Sequence, residues 1–144
     1  MPFGEATADD AWLAALFLGE GTLSINKRNV QIMFSNTDLA ILKQAAAIYG
    51  EPSSTRIISD SRPRAGNWRI SYLLWVRGGR EAKMRLLRRM RPFMVGRKAD
   101  ATDIILRYLE LRRPKDKKKH WDHHHTAEEL QLLSQAHQIY RKGR

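Results

Sequence analysis

Two pairs of alternating segments, each followed closely by a helical stretch, constrain this chain more than any other feature. In Asn29–Ser35, Val30, Ile32 and Phe34 alternate with Gln31, Met33 and Ser35, the period of two that gives a strand one apolar face. Thr22–Asn26 precedes it with only Lys27 and Arg28 between, so the pair reads as a hairpin. A second pair, Ser54–Ser59 and Asn67–Arg77, flanks DSRPRAG, a loop of turn formers and arginine. In its longer strand Trp68, Ile70, Tyr72 and Leu74 share one face, and Arg69, Ser71 and Leu73 the other. Strands that arrive as hairpins predict a mostly antiparallel sheet with helices on one face.

The helices follow from their stripes and stop signals. The first is predicted to start near Thr7 or Asp9 and to run to about Gly19, where Gly-Glu-Gly is a good terminator. The second opens at Asn36 or Thr37, buries a stripe including Leu39, Leu42 and Ala45, and ends at Gly50. A third covers Arg80–Met90 and is broken by Pro92, and a fourth runs from Arg97 to Arg112. After the polar linker RRPKDKKKHWDHHH, Thr126-Ala-Glu-Glu129 reads as a capping box for a last helix. The order predicts an α+β fold, an αββαββα core with extra C-terminal helices. The predicted organisation is a core over residues 1–113, a basic, histidine-rich loop over 114–125, and a terminal helix over 126–144 packed on the same domain.

Charge narrows the function. The chain of 144 residues has no cysteine, which excludes disulfides, thiolate metal sites and cysteine nucleophiles. No apolar run reaches the length of a membrane span and no signal peptide opens the chain, so no membrane partner and an intracellular or organellar location are expected. The net charge is +11, and Arg77–Lys119 alone holds 16 basic against 5 acidic residues. The remainder is balanced. A basic half on a neutral body suggests a polyanion partner, whereas a solvated helical surface would mix both signs. The sheet face away from the helices would carry Ser24, Asn26, Gln31, Arg56, Arg69 and Ser71. Such a face is either a wetted surface or one that lies in a DNA major groove.

One short stretch carries an anomaly. In WLAALFLGEGTLSI an apolar helix ends on Glu20, between Gly19 and Gly21. A helix C-terminus already bears partial negative charge, so a carboxylate there is unfavourable in isolation. Leu13–Gly21 resembles the signature helix of the LAGLIDADG homing endonucleases. The likeness extends to FSNTDLAILKQAAAIYG, similar to that family's strand-to-helix segment, and to WRISYLLWVRGGREAKMRLLRRMRPFMVGRKADA, similar to its last strand and helix pair. TAEELQLLSQAHQIYRKGR resembles the terminal helix of many single-motif members. One motif copy resembles the members that act as homodimers.

The resemblance implies a saddle-like sheet and a double-strand DNA endonuclease that leaves short 3′ overhangs across the minor groove. It implies an interface built on Trp12, Ala15, Leu16 and Gly19, since small residues four apart let two helices approach closely. Two such helices would bring both Glu20 carboxylates together, with the Gly19 carbonyls, as ligands for Mg²⁺ or Mn²⁺. Arg97 corresponds to a basic residue near the scissile phosphate, with Lys98 as its competitor; generic phosphate attraction is the alternative for both. Asn36 is either a water-positioning side chain or the cap of the second helix. Base and phosphate contacts would come from Ser24, Asn26, Lys27, Arg28, Gln31, Met33, Arg56, Arg62, Arg64, Arg69, Ser71, Lys117, Lys118 and Lys119.

Two departures stand out: Ala15 where glycine is common, and Leu18 where the family often has aspartate. His120, His123, His124 and His125 do not have the spacing of a zinc site and fit a loop that reaches DNA with Lys117–Lys119. A cleavage-deficient relative acting as maturase or regulator, and a monomeric RNA-binding protein of the ribosome, are the competing readings.

Overall fold

The computed structural model describes residues 7–26, 29–49, 55–60, 71–112 and 125–141. In chain order the elements are α1 (Ala8–Glu20), β1 (Gly21–Asn26), β2 (Asn29–Asn36), α2 (Leu39–Tyr49), β3 (Thr55–Asp60), β4 (Ser71–Val76), α3 (Arg80–Met90), a 3₁₀ turn (Arg91–Phe93), α4 (Arg97–Leu111) and α5 (Ala127–Arg141). The predicted α+β class and element order are those observed. The chain divides into two compact units, Met1–Met94 and Val95–Arg144.

The first unit is built on one four-stranded sheet of order β1-β2-β4-β3, antiparallel throughout. Each hairpin contributes one inner strand, and β2 and β4 meet in the centre. Alternation sorts the faces. Leu23, Val30, Ile32, Phe34, Leu74 and Val76 are buried on the helical side, where Leu13, Ala14 and Phe17 of α1, Leu42 and Ala45 of α2, and Met84, Leu86, Leu87 and Met90 of α3 close the core. Phe17 meets Phe34 edge to face, with ring centroids 5.4 Å apart, the geometry favoured by the aromatic quadrupole.

Helix α1 begins in a reciprocal box. The Asp10 N–H donates to Thr7 Oγ1 and the Thr7 N–H to Asp10 Oδ2, each at 3.2 Å. Asp10 is itself buried and has a second task. Arg89 Nε, at the end of α3, donates to Asp10 Oδ1 at 2.8 Å, while its Nη2 donates to the Ile48 carbonyl of α2 at 3.3 Å. One guanidinium thus ties three helices. Burial pushes the Asp10 carboxyl upward, but the Thr7 N–H and the Arg89 guanidinium outweigh it and hold it below the usual carboxylate range.

Two details of the predicted boundaries change. Helix α2 is capped by Asp38, whose carboxylate accepts from the Ala40 N–H at 3.0 Å, and not by Asn36 or Thr37. The end of α1 is no left-handed glycine stop, because Gly21 has φ −93° and ψ 156° and opens β1 directly. It is glycine for lack of space. A Cβ there would lie 2.5 Å from both Phe17 Cδ2 and the Phe17 carbonyl oxygen.

In the second unit α4 packs against α5. Ala101, Ile105, Tyr108 and Leu109 of α4 and Ala136 of α5 are buried. The predicted capping box is present: the Thr126 N–H donates to Glu129 Oε1 at 3.0 Å and the Glu129 N–H to Thr126 Oγ1 at 3.2 Å. Buried Glu129 also receives Arg112 Nη1 at 3.3 Å. Burial raises its carboxyl, and the Thr126 and Arg112 bonds bring it below the ordinary value.

Candidate active site

The hairpin register decides what surrounds Glu20. In the β1–β2 ladder Gly21 pairs with Phe34, so Ser35 and Asn36 overrun the start of β1 and lie alongside the last residue of α1. Both take hold of it. Ser35 Oγ donates to the Glu20 main-chain oxygen at 3.2 Å, and Asn36 Nδ2 donates to Glu20 Oε2 at 2.5 Å. The Asn36 amide cannot rotate freely, because its Oδ1 accepts from the Asp38 N–H at 2.8 Å, an Asx-turn. Asn36 is bonded at the threshold of α2 without capping it, and that bond turns its NH₂ toward Glu20.

Glu20 is exposed, and no basic residue lies in the last turn of α1. Among the described residues no lysine or arginine pairs with it. Among those residues the carboxylate and the negative helix end have no charge compensation. This donor set is suited to a hard cation, which is bound by oxygen ligands, although one protomer supplies only one carboxylate. Among the described residues there is no cluster of three or more acidic, histidine or cysteine side chains.

The residues of α1 separate cleanly around this point. Asp10, Leu13, Ala14 and Phe17 face inward and are buried, whereas Trp12, Ala15 and Gly19 are exposed and Leu16 is half-buried. Trp12, with 38% of its surface accessible, is among the few large apolar side chains left open. A Cβ on Gly19 would meet nothing within 4 Å. Among the described residues nothing packs on Gly19 of this small-residue face.

On the sheet face away from the helices lie Ser24, Gln31, Met33 and Ser71, all half-buried, as predicted for a polar face. Ser24 Oγ donates to Gln31 Oε1 at 3.4 Å, which leaves the Gln31 NH₂ outward. Leu73 and Trp75 alternate onto this face as well, with Met33 opposite Trp75 and Ser35 opposite Leu73. Its centre is more apolar than expected, and Trp75 was missed although its parity with Leu73 signals it. Asn26 pairs with Asn29 at the end of β1, and Arg56 with Trp75 in the β3–β4 ladder. Lys27, Arg28, Arg62, Arg64, Arg69 and Lys117–Lys119 lie outside the described residues.

Arg97 and Lys98 belong to the second unit. Arg97 is exposed at the first position of α4, directly after Gly96, whose φ of 78° favours glycine. Lys98 is half-buried, and that burial pushes its ammonium pKa down. Of His120, His123, His124 and His125, only His125 is described. Its Nε2 lies 2.8 Å from the hydroxyl of buried Tyr108.

Two helix-backed hairpins sharing one antiparallel sheet, with an exposed carboxylate where the first helix enters it, define a class of α+β protein built around a helix end. The model of the LAGLIDADG-like domain matches residues 7–88, more than half of the chain, and the chain belongs to that family. The family comprises DNA-binding homing endonucleases and maturases, generally hydrolytic nucleases that use divalent metal ions and are typically dimeric. No curated protein and no solved structure matches the chain. No helix among the described residues is long and apolar enough to cross a membrane.

Proposed function

We propose that this protein is a sequence-specific homing endonuclease that hydrolyses double-stranded DNA as a homodimer on a long pseudo-palindromic site, leaving short 3′ overhangs. The observation that carries this reading is the exposed Glu20 carboxylate, held by Asn36 while Ser35 holds the Glu20 main-chain oxygen and without a basic partner among the described residues, at the end of a helix with an open small-residue face. A twofold axis beside Trp12, Ala15, Leu16 and Gly19 would bring two Glu20 side chains together. Like charges so placed repel unless a cation lies among them. The Glu20 carboxylate and the Gly19 carbonyl would hold Mg²⁺ or Mn²⁺, which when bound acidifies a water and stabilises the leaving oxygen.

The chain's own residues do the rest. Asn36 fixes the carboxylate, Ser35 fixes the main chain at the helix end, and Arg97, with Lys98 beside it, supplies positive charge to the phosphodiester. Ser24, Gln31, Met33 and Ser71 contact base edges in the major groove, joined by Asn26, Arg56, Arg69, Arg62 and Arg64. Lys27, Arg28 and Lys117–Lys119 hold phosphates.

The test is a cleavage screen against a randomised duplex library with Mg²⁺, Mn²⁺ or Ca²⁺, using the natural chain and Glu20→Gln. Cleavage in Mg²⁺ that disappears in Glu20→Gln while duplex binding persists is the expected result. Cleavage retained by Glu20→Gln would overturn the assignment of the ligand. Binding without cleavage by the natural chain would favour a maturase or regulator.

A further inference from the structure

Asn36 lies beside Glu20, and the opposite end of β2 is about 20 Å away at roughly 3.3 Å per residue. There the start of β2, the end of β4 and the first turn of α3 line an open pocket of about 260 Å³. Buried Val30 and Val76 belong to its lining, together with half-buried Trp75. Gln31, Arg77 and Lys83 supply polar and charged groups. The turn that assembles it is tight: Gly78, at φ 129°, carries the chain from β4 to α3 in a conformation that favours glycine.

Two cations line this pocket. Among the described residues no carboxylate pairs with Arg77 or Lys83, and the nearby acid of the same helix turn, Glu81, is engaged by Arg80. Lys83 is half-buried, and burial pushes its ammonium pKa down. A partly desolvated ammonium without an anion is costly, and a ligand that brings one removes the cost. Because Ser24 already occupies Gln31 Oε1, Gln31 offers donors rather than an acceptor. Two cations and an aromatic residue around one pocket match an oxyanion that carries an organic group. The pocket is larger than a bare oxyanion needs. The strongly basic segment of the chain begins at Arg77.

We propose that this pocket seats a phosphate group together with its attached sugar, with Lys83 and Arg77 on the phosphate and Trp75 against the sugar. Resting on the DNA-binding reading above, the occupant is a backbone phosphate at the outer part of each half-site, far from the scissile bond. A free nucleotide offers the same chemistry, and two measurements separate the sources.

The first measures duplex affinity against salt for the natural chain, Lys83→Met, Lys83→Arg, Arg77→Met and, as a control on α2, Lys43→Met. Each phosphate contact contributes about 0.9 to the slope of log K against log salt. Lys83→Met and Arg77→Met should therefore weaken binding and flatten the slope by about 0.9 per protomer, while Lys83→Arg and Lys43→Met leave it unchanged. Methionine keeps the lysine stem, and matching thermal melts show that the fold is intact. The second is an NMR titration with deoxynucleoside monophosphate, read at the Trp75 indole and the Lys83 side chain. A flattened slope assigns the site to the DNA backbone. An unchanged slope with shifts at Trp75 and Lys83 assigns it to a free nucleotide. An unchanged slope without those shifts overturns the proposal. If the natural chain binds no duplex at all, the DNA reading fails, and the titration alone then upholds or overturns the pocket.

Discussion

The two glycines that flank Glu20 should respond to the same substitution with opposite signs. In Gly19→Ala the new methyl group meets nothing within 4 Å inside the protomer, and alanine is the better helix former by up to about 1 kcal/mol. The isolated protomer should therefore be as stable as the natural chain or more stable by up to that amount. If α1 pairs with its twofold mate through Ala15 and Gly19, the same methyl group falls between two closely approaching backbones. Overpacking of that kind costs about 1–3 kcal/mol, a roughly 5- to 150-fold weaker dimer. In Gly21→Ala the Cβ would lie 2.5 Å from a ring carbon and from the main-chain oxygen of Phe17. Phe17 is wholly buried, so the protomer itself should lose about 1–3 kcal/mol. Urea unfolding at protomer concentrations low enough to hold the monomer measures the first effect, and sedimentation equilibrium the second. A Gly19→Ala chain that dimerises and cleaves as the natural chain does would refute the helix-to-helix interface. A Gly19→Ala protomer as unstable as Gly21→Ala would refute the account of α1's open face.

Other expected outcomes follow from the same geometry. Glu20→Gln removes the like charges that a dimer would bring together, so its metal-free dimer should be tighter than the natural one and insensitive to Mg²⁺, as measured by sedimentation with and without the ion. Asn36→Ala deprives Glu20 of its positioning bond and should lower the cleavage rate by about 10- to 100-fold, the usual cost of losing a group that orients a ligand, with duplex binding unchanged. Arg89→Ala cuts the tie to Asp10 and Ile48 and should cost about 1–3 kcal/mol in urea unfolding. The Asp10 carboxyl is held below its ordinary value of 3.8. Its contribution is therefore fully present above the unfolded value and lost as pH falls through the folded one. Unfolding midpoints at pH 6 and pH 3 should differ less in Arg89→Ala than in the natural chain.

Local signals were sufficient wherever the structure depends on neighbours in sequence. The capping box at Thr126 and Glu129, the α3 boundaries at Arg80 and Met90, and the alternation of Val30, Ile32 and Phe34 could all be read directly, because caps and strand faces are set within a few residues. The motif around Glu20 was equally legible, since its anomaly is a charge at the wrong end of a helix. Asp10 shows where such reading stops. As an acid in a first turn it suits the helix dipole, yet its burial and its bond to Arg89, 79 residues away, follow from how α1 and α3 pack.

The sequence by itself determined the element order, the apolar faces, the concentration of positive charge and the position of the carboxylate, all properties of short windows. Only the tertiary structure decided what holds that carboxylate. The pairing of Gly21 with Phe34 leaves Ser35 and Asn36 beside Glu20, and the bond to the Asp38 N–H aims the Asn36 amide. Packing also settled why Gly21 is glycine, through the Phe17 ring rather than its dihedral angles. The central β2–β4 pairing brought Trp75 opposite Met33 on the open face. Each of these depends on a register between segments distant in the chain, and a register is chosen by the burial of a whole face rather than by any one residue.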